Sequence, residues 1–245
     1  MKIIILLCLN FNFAFADREN YKIYTEDFQP PLNMLKNEKV TGLGTELLIE
    51  LLKRANFSYN ITVLPWARAM IQVQNEENSI LYSVARTPER EDLYKWVGPI
   101  IKNRWVFIAR NDFKQKITTL DQVKKYIVGG YISDGFTNFL LHNGFKRGEN
   151  LDIAFNQRNN ILKLEKKRID LLAIGEIQGK WLAKQMHISN IHSVFSVKEI
   201  KIFIAFNKKT SDLVINNLNS ILLKMKTEKG VTDIYKKYGA EQNIN

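Results

Sequence analysis

From Tyr21 onward the chain alternates short apolar runs with stretches whose apolar residues recur at helical spacing, and it does so in two successive series. That pattern narrows the available folds more than any other feature, because alternating strands and amphipathic helices build an α/β fold and neither a bundle nor a sandwich. Tyr21 to Thr25 reads as a first strand. Between Thr45 and Ala55, the residues Leu47, Leu48, Leu51, Leu52 and Ala55 share one helix face. Tyr59 to Leu64 is a second strand, Pro65 opens a second helix, and Ile80 to Val84 completes a β-α-β-α-β unit.

The second series begins at Arg104 to Arg110. Strands are expected at Tyr126 to Tyr131, Leu151 to Phe155, Ile169 to Ile174 and Ile200 to Phe206. Helices are expected at Asp134 to His142, Ile161 to Lys167, Ile177 to Met186, Ser211 to Thr227 and Val231 to Tyr238. Two α/β lobes follow, with crossovers near Phe107 to Asn111 and Ser196 to Ile200, so the last two helices return to the first lobe. The expected division is 17–107 and 201–245 for lobe 1 and 108–200 for lobe 2.

The first sixteen residues bear on the compartment. Met1-Lys2 precedes seven apolar residues, Ile3 to Leu9, and Ala14-Phe15-Ala16 stands before the charged Asp17-Arg18-Glu19. A positive start, an apolar stretch and an A-x-A site, in that order, read as a secretory signal peptide (1–16) removed after Ala16. A membrane anchor needs about 20 apolar residues, and Asn10 and Asn12 interrupt sooner; a buried first strand is the other alternative. The single cysteine, Cys8, lies within that leader, so the mature chain would form no disulfide and hold no cysteine metal site.

Charge and motifs exclude several classes. The 36 Lys and Arg against 25 Asp and Glu leave +11, but basic stretches such as Lys163 to Arg168 are mixed with Glu165 and Asp170, as on a solvated helix face. No nucleic-acid partner is expected. Neither G-x-G-x-x-G nor a Walker A sequence occurs, and His142, His187 and His192 lack metal-ligand spacing. No cofactor and no metal are expected.

The informative stretch is Ser83-Val84-Ala85-Arg86-Thr87-Pro88-Glu89-Arg90-Glu91, followed by Trp96-Val97-Gly98-Pro99. Thr87 and Pro88 suit the N-cap and first position of a short helix, which places Arg90 in its first turn. A cation there opposes the helix dipole. Either a bound carboxylate meets the guanidinium together with free backbone N–H groups, or Arg90 forms an internal salt bridge with Glu89, Glu91 or Asp92.

In their order along the chain, several segments resemble the family 3 periplasmic solute-binding proteins, the polar amino acid type that serves ATP-driven importers. They are the leader, Phe28-Gln29-Pro30-Pro31, Gly42 before Glu46-Leu47, Thr87 to Arg90 before Trp96 to Pro99, Val128-Gly129 and Arg168-Ile169-Asp170. Pro65-Trp66-Ala67-Arg68-Ala69 looks like one branch of that family. The resemblance implies a two-lobed periplasmic binding protein fold (type II) with the ligand in the cleft between lobes.

It also implies a site. Arg90 matches the arginine that clamps a ligand α-carboxylate, Phe28 an aromatic covering the ligand, and Ser83 a pocket serine, with Tyr82 beside it. Trp66 and Arg68 are further candidates; core packing is the alternative for Phe28 and Trp66, and a surface charge for Arg68. In the second lobe, Gly175 falls where the family often has an aspartate, with Glu176 next to it, and Ser133-Asp134-Gly135 replaces a pair of small hydroxyl residues. The implied function is capture of a small carboxylate-bearing solute by a monomer and its delivery to an ABC transporter membrane permease, from the periplasm. The rivals are a sensing or orphan binding protein and an enzyme on the same fold, for which Glu176 and Asp134 are the acid/base candidates.

Overall fold

A computed structural model of the protein describes residues 20–26, 28–240, 243 and 244. The expected leader and Cys8 lie outside the described residues. In chain order come β1 (Asn20–Thr25), β2 (Phe28–Gln29), β3 (Asn33–Lys36), β4 (Lys39–Thr41), α1 (Leu43–Arg54), β5 (Ser58–Val63), α2 (Trp66–Asn75), β6 (Ser79–Ala85), α3 (Pro88–Glu91) and β7 (Tyr94–Arg110). They are followed by α4 (Leu120–Val123), β8 (Val128–Tyr131), α5 (Gly135–His142), β9 (Leu151–Ala154), α6 (Gln157–Glu165), β10 (Leu171–Gly175), α7 (Glu176–Gln185), β11 (Ile191–Asn207), α8 (Asp212–Met225) and α9 (Lys229–Lys237).

The helices form where apolar spacing and caps agree. Leu47, Leu48, Leu51 and Leu52 of α1 are all buried and pack with Tyr21, Ile23 and Tyr82 of the sheet and with Leu218 and Tyr235 of α8 and α9. The C-terminal helices α8 and α9 thus share one core with α1. Trp66, Ala69 and Val73 of α2 cover the other face against Leu81, Val84 and Trp96. In the second lobe Phe136 and Leu140 of α5 pack on Trp105 and Phe107, while Ile161, Leu164 and Leu182 cover Val106 and Ile108 from the other side.

Eight strands hydrogen-bond in the order β5-β1-β6-β11-β7-β10-β8-β9. Within each lobe the strands β1, β5 and β6, or β8, β9 and β10, run parallel, and the antiparallel pair β7 and β11 joins the two sets. The sheet is therefore continuous through both lobes. The crossing strands are longer than expected, 17 residues each, because their hydrogen bonding persists where side-chain burial changes sides. Register shifts between Ser193 and Phe195, Ser196 and Lys198, and Ile202 and Ile204 bend and twist the pair there.

Core packing locates the changeover. On β7, Ile101 belongs to the first lobe's core and Trp105 to the second's. On β11, Ile200 touches both cores and Ile202 belongs to the first.

The sequence reading also missed two local features. Phe28 to Thr41 folds as a three-stranded antiparallel sheet, β2-β3-β4, whose strands are too short to show a period. Gly42 follows it at φ 123°, where a Cβ would lie 2.3 Å from the carbonyl oxygen of Leu32; only glycine turns the chain into α1 there. Helix α6 starts four residues before the expected Ile161, because the Asn156 side chain accepts the Arg158 N–H, 2.7 Å away, and caps it.

Candidate ligand-binding site

The lobes meet over a small, partly open cavity of about 40 Å³ whose lining includes Gln29, Trp66, Ser83, Arg90, Asn103, Trp105, Asp134, Gly175 and Gln178. That volume holds only a few water molecules, so the lobes are drawn together. Lobe 1 contributes the end of β6, the start of α2 and α3; lobe 2 contributes the turn before α5 and the end of β10.

Arg90 is delivered by the short helix anticipated from sequence. Thr87 precedes it with extended backbone and Pro88 takes the first position, although the Thr87 hydroxyl makes no capping bond to the backbone. The Arg90 side chain is 5% exposed. Its Nη1 donates to the carbonyl of Ala85 at 3.2 Å and its Nη2 to the carbonyl of Ser133 at 3.0 Å, with the guanidinium 5.7 Å from the Trp66 ring centroid.

Among the described residues no carboxylate lies within ion-pair distance of Arg90: Glu91 instead pairs with Arg86, and Glu89 lies beside His142 at 3.9 Å. The internal salt-bridge alternative is thereby set aside. Burial pulls the Arg90 pKa below its ordinary value, opposed first by Asp134, yet a guanidinium remains charged. A buried cation bonded only to neutral carbonyls is costly, so an anion brought to it would be bound strongly.

Two serines lie in the left-handed backbone region, Ser83 in the cavity lining at φ 60° and Ser133 in the turn before α5 at φ 58°, a conformation that costs of order 1 kcal/mol or more for a residue with a side chain. Ser83 Oγ donates to Asn33 Oδ1 at 2.6 Å, and Asn33 Nδ2 donates to Thr25 Oγ1 at 2.9 Å. Ser133 acts through its carbonyl, which also accepts the Trp66 Nε1–H at 3.2 Å. A third bond across the lobes runs from the Tyr131 hydroxyl to Glu26 at 2.5 Å.

The turn before α5 is held firmly. Asp134 caps the helix by accepting the N–H groups of Phe136 at 2.9 Å and Thr137 at 3.3 Å, and Phe136 stacks on Trp105 at 4.9 Å. Loss of hydration pushes the Asp134 carboxyl above its ordinary pKa, while Arg90 and the capping N–H groups pull it back.

Residues 21–241 match the model of the bacterial extracellular solute-binding proteins, family 3. The chain belongs to that family. A comparison with curated proteins finds no match. Solved structures share the two-lobed periplasmic binding protein fold. An ancestral arginine-binding protein bound to arginine superposes with TM-score 0.79 at 18% identity, covering 90% of this chain and 98% of its own. A substrate-binding protein of an ABC uptake transporter from Streptococcus pneumoniae with bound histidine gives 0.82 at 12%, covering 92% and 94%. A histidine kinase sensor domain gives 0.82 at 13%, covering 90% and 96%.

Within this solute-binding protein, the expected site residues separate. Arg90, Trp66 and Ser83 line the cavity, whereas Ser133 is absent from the lining and meets Arg90 and Trp66 through its carbonyl; Trp66 is also core, 5% exposed. Phe28 lies in β2, paired with Met34, and its side chain is outside what is described.

Three candidates are corrected. Tyr82 is fully buried, with its hydroxyl 2.8 Å from that of Thr45 in the lobe 1 core, because successive side chains of β6 point to opposite faces. Arg68 lies exposed on α2, off the cavity lining. Glu176 pairs with Arg104 at 2.7 Å and Lys180 at 2.8 Å and lines a separate outer pocket with Trp181 and Tyr238. The acid/base pair Glu176 and Asp134 therefore shares no cavity.

Asn103, Trp105 and Gln178 of the lining were missed. They stand on elements distant in sequence, and nothing local marks a buried amide as belonging to a site. Among the described residues, no group of three or more His, Cys, Asp or Glu could hold a metal.

Proposed function

We propose that the protein captures a small carboxylate-bearing, amino acid-like solute by lobe closure and hands it to an ABC importer. The observation that carries this reading is Arg90: a buried guanidinium facing the inter-lobe cavity, two of whose five N–H groups meet main-chain carbonyls while no carboxylate pairs with it among the described residues. A carboxylate fits the planar fork bidentately. Closure is then favoured by contacts that exist only when the lobes meet, namely Arg90 and Trp66 to Ser133 and Tyr131 to Glu26.

In this reading the lobes are residues 17–107 with 201–245 and residues 108–200, joined through β7 and β11. The leader 1–16 is removed on secretion to the periplasm, and the monomer carries out no chemical step. The structural likeness to a histidine kinase sensor domain supports a second reading, ligand sensing without a transporter. Solute uptake by vesicles carrying the permease and ATPase, with and without this protein, separates the two.

The test of the binding reading is native mass spectrometry of protein purified without denaturation, followed by calorimetric titration of the co-purified solute. Arg90→Ala should weaken binding by about 3 to 5 kcal/mol, more than a hundredfold. An affinity equal to the parent's would refute the clamp.

A further inference from the structure

Beside the cleft, where β7 and α7 meet the end of the chain, lies the larger outer pocket, about 540 Å³ in volume. Its walls come from both lobes. Trp181 of α7 stands beside Tyr238, the residue after α9, with ring centroids 6.4 Å apart, and Ile177 and Trp181 pack against the first lobe's core although their helix follows a strand of the second. Between these walls β7 contributes Lys102, Asn103 and Arg104. Asn103 also lines the small cavity, so the two spaces share one side chain.

The pocket is strongly unbalanced in charge. Its lining holds Lys102, Arg104, Lys180, Lys184 and Lys237 against Glu176 and Glu199, and both acids gather at one cation: Glu176 pairs with Arg104 at 2.7 Å and with Lys180 at 2.8 Å, while Glu199 stands across from Arg104 in the strand register. Lys237 is taken by Glu46 at 2.6 Å. Lys102 and Lys184 have no carboxylate within ion-pair distance among the described residues. Lys102 stands directly opposite Lys201 on β11, which has no carboxylate partner among them either, and like charges so placed repel. The excess extends to Lys226, whose ammonium is held below its ordinary pKa by burial and then by Lys201. An anion from outside would relieve this repulsion and meet several ammonium groups at once.

We infer that this pocket is a second ligand site, outside the cleft, for a compact multivalent oxyanion of the phosphate type held by Lys102 and Lys184, and that its occupation favours lobe closure. The volume lies within the range of about 300 to 1,000 Å³ usual for small-molecule sites, and lysine suits a phosphate as a mobile point charge. Because the walls belong to different lobes, an occupant touching both binds the closed arrangement better than the open one and shifts the population toward it. The site holds whatever solute the cleft takes. The competing account makes these lysines a solvated surface that attracts any anion.

Pyrophosphate, titrated calorimetrically into the protein at constant ionic strength, separates the two. The parent should bind it at one saturable site. Lys102→Gln combined with Lys184→Gln should weaken binding about tenfold or more without lowering the melting temperature, since neither lysine has a carboxylate partner to lose. Lys114→Gln combined with Lys116→Gln removes the same charge from a shallow surface past the end of β7 and should leave the affinity within about twofold of the parent's. Arg90→Ala should also bind pyrophosphate like the parent, which separates this site from the cleft. Absence of saturable binding, an equal loss in both lysine pairs, or loss in Arg90→Ala overturns the inference. With dyes on the two lobes, saturating pyrophosphate should enlarge the closed population of the parent but not of the Lys102→Gln, Lys184→Gln variant; an unchanged parent distribution overturns the coupling to closure.

Discussion

The main-chain oxygen of Ser133 accepts a 3.0 Å hydrogen bond from Nη2 of Arg90, so the cation of one lobe is tied to the turn that opens α5 in the other. Trp66 donates to the same oxygen. One acceptor in lobe 2 therefore gathers two donors from lobe 1, and its left-handed backbone aims it at them.

Trp66→Phe should loosen this closure. The phenyl ring keeps much of the packing but loses the Nε1–H, which removes one neutral hydrogen bond from the closed state, about 1 kcal/mol or roughly fivefold in the open-to-closed ratio. Distance distributions between dyes on the two lobes would report it; an unchanged distribution would show that the bond contributes nothing to closure.

Gly175→Ala should destabilise the protein by about 1 to 3 kcal/mol. The added methyl would meet Asn103 Nδ2 at 2.7 Å, and the Asn103 amide is already held through its oxygen by two backbone N–H groups. Thermal melting measures the loss, and combining the change with Asn103→Ala should give less than the sum of the two single effects.

Tyr82→Phe tests the correction made to that residue. Its hydroxyl bonds Thr45 within the core, so the change should cost roughly 0.5 to 1.5 kcal/mol of stability. Solute affinity should stay as in the parent, whereas a loss of affinity without a loss of stability would return Tyr82 to the site.

Stability should fall in acid through Glu76. Hydrogen bonds from Lys22, Tyr24 and Gln72 hold its carboxyl down to about 2 from an ordinary 4.5. The folded state thus binds fewer protons than the unfolded one between those values, and the contribution is complete above about pH 4.5 and lost as the pH falls toward 2. Glu76→Gln should lower the urea midpoint at neutral pH and flatten its decline between about pH 5 and 3; a variant whose midpoint falls as steeply as the parent's would assign the acid sensitivity to other groups.

Much of the fold was legible because it rests on local periodicity. The leucines of α1 and the apolar runs of β1, β6 and β10 carry their burial pattern in the sequence, and the Thr87-Pro88 start brought Arg90 to α3 before any tertiary contact was known. The β2-β3-β4 sheet and the first halves of β7 and β11 were not legible. Strands of two to four residues are too short for a period, and the crossing strands change which side they bury midway.

For the site, the sequence by itself determined that Arg90 enters the first turn of a short helix, that position 175 has no side chain and that Ser133-Asp134-Gly135 opens α5. Only the tertiary structure decided that Tyr82 and Glu176 turn away from the cavity, that Ser133 contributes its carbonyl and that Asp134 stands beside Arg90. The reason is that residue order encodes helix and strand through interactions a few positions apart, whereas Arg90 and Ser133 are separated by 43 positions. Their meeting depends on how β7 and β11 carry one lobe over to the other.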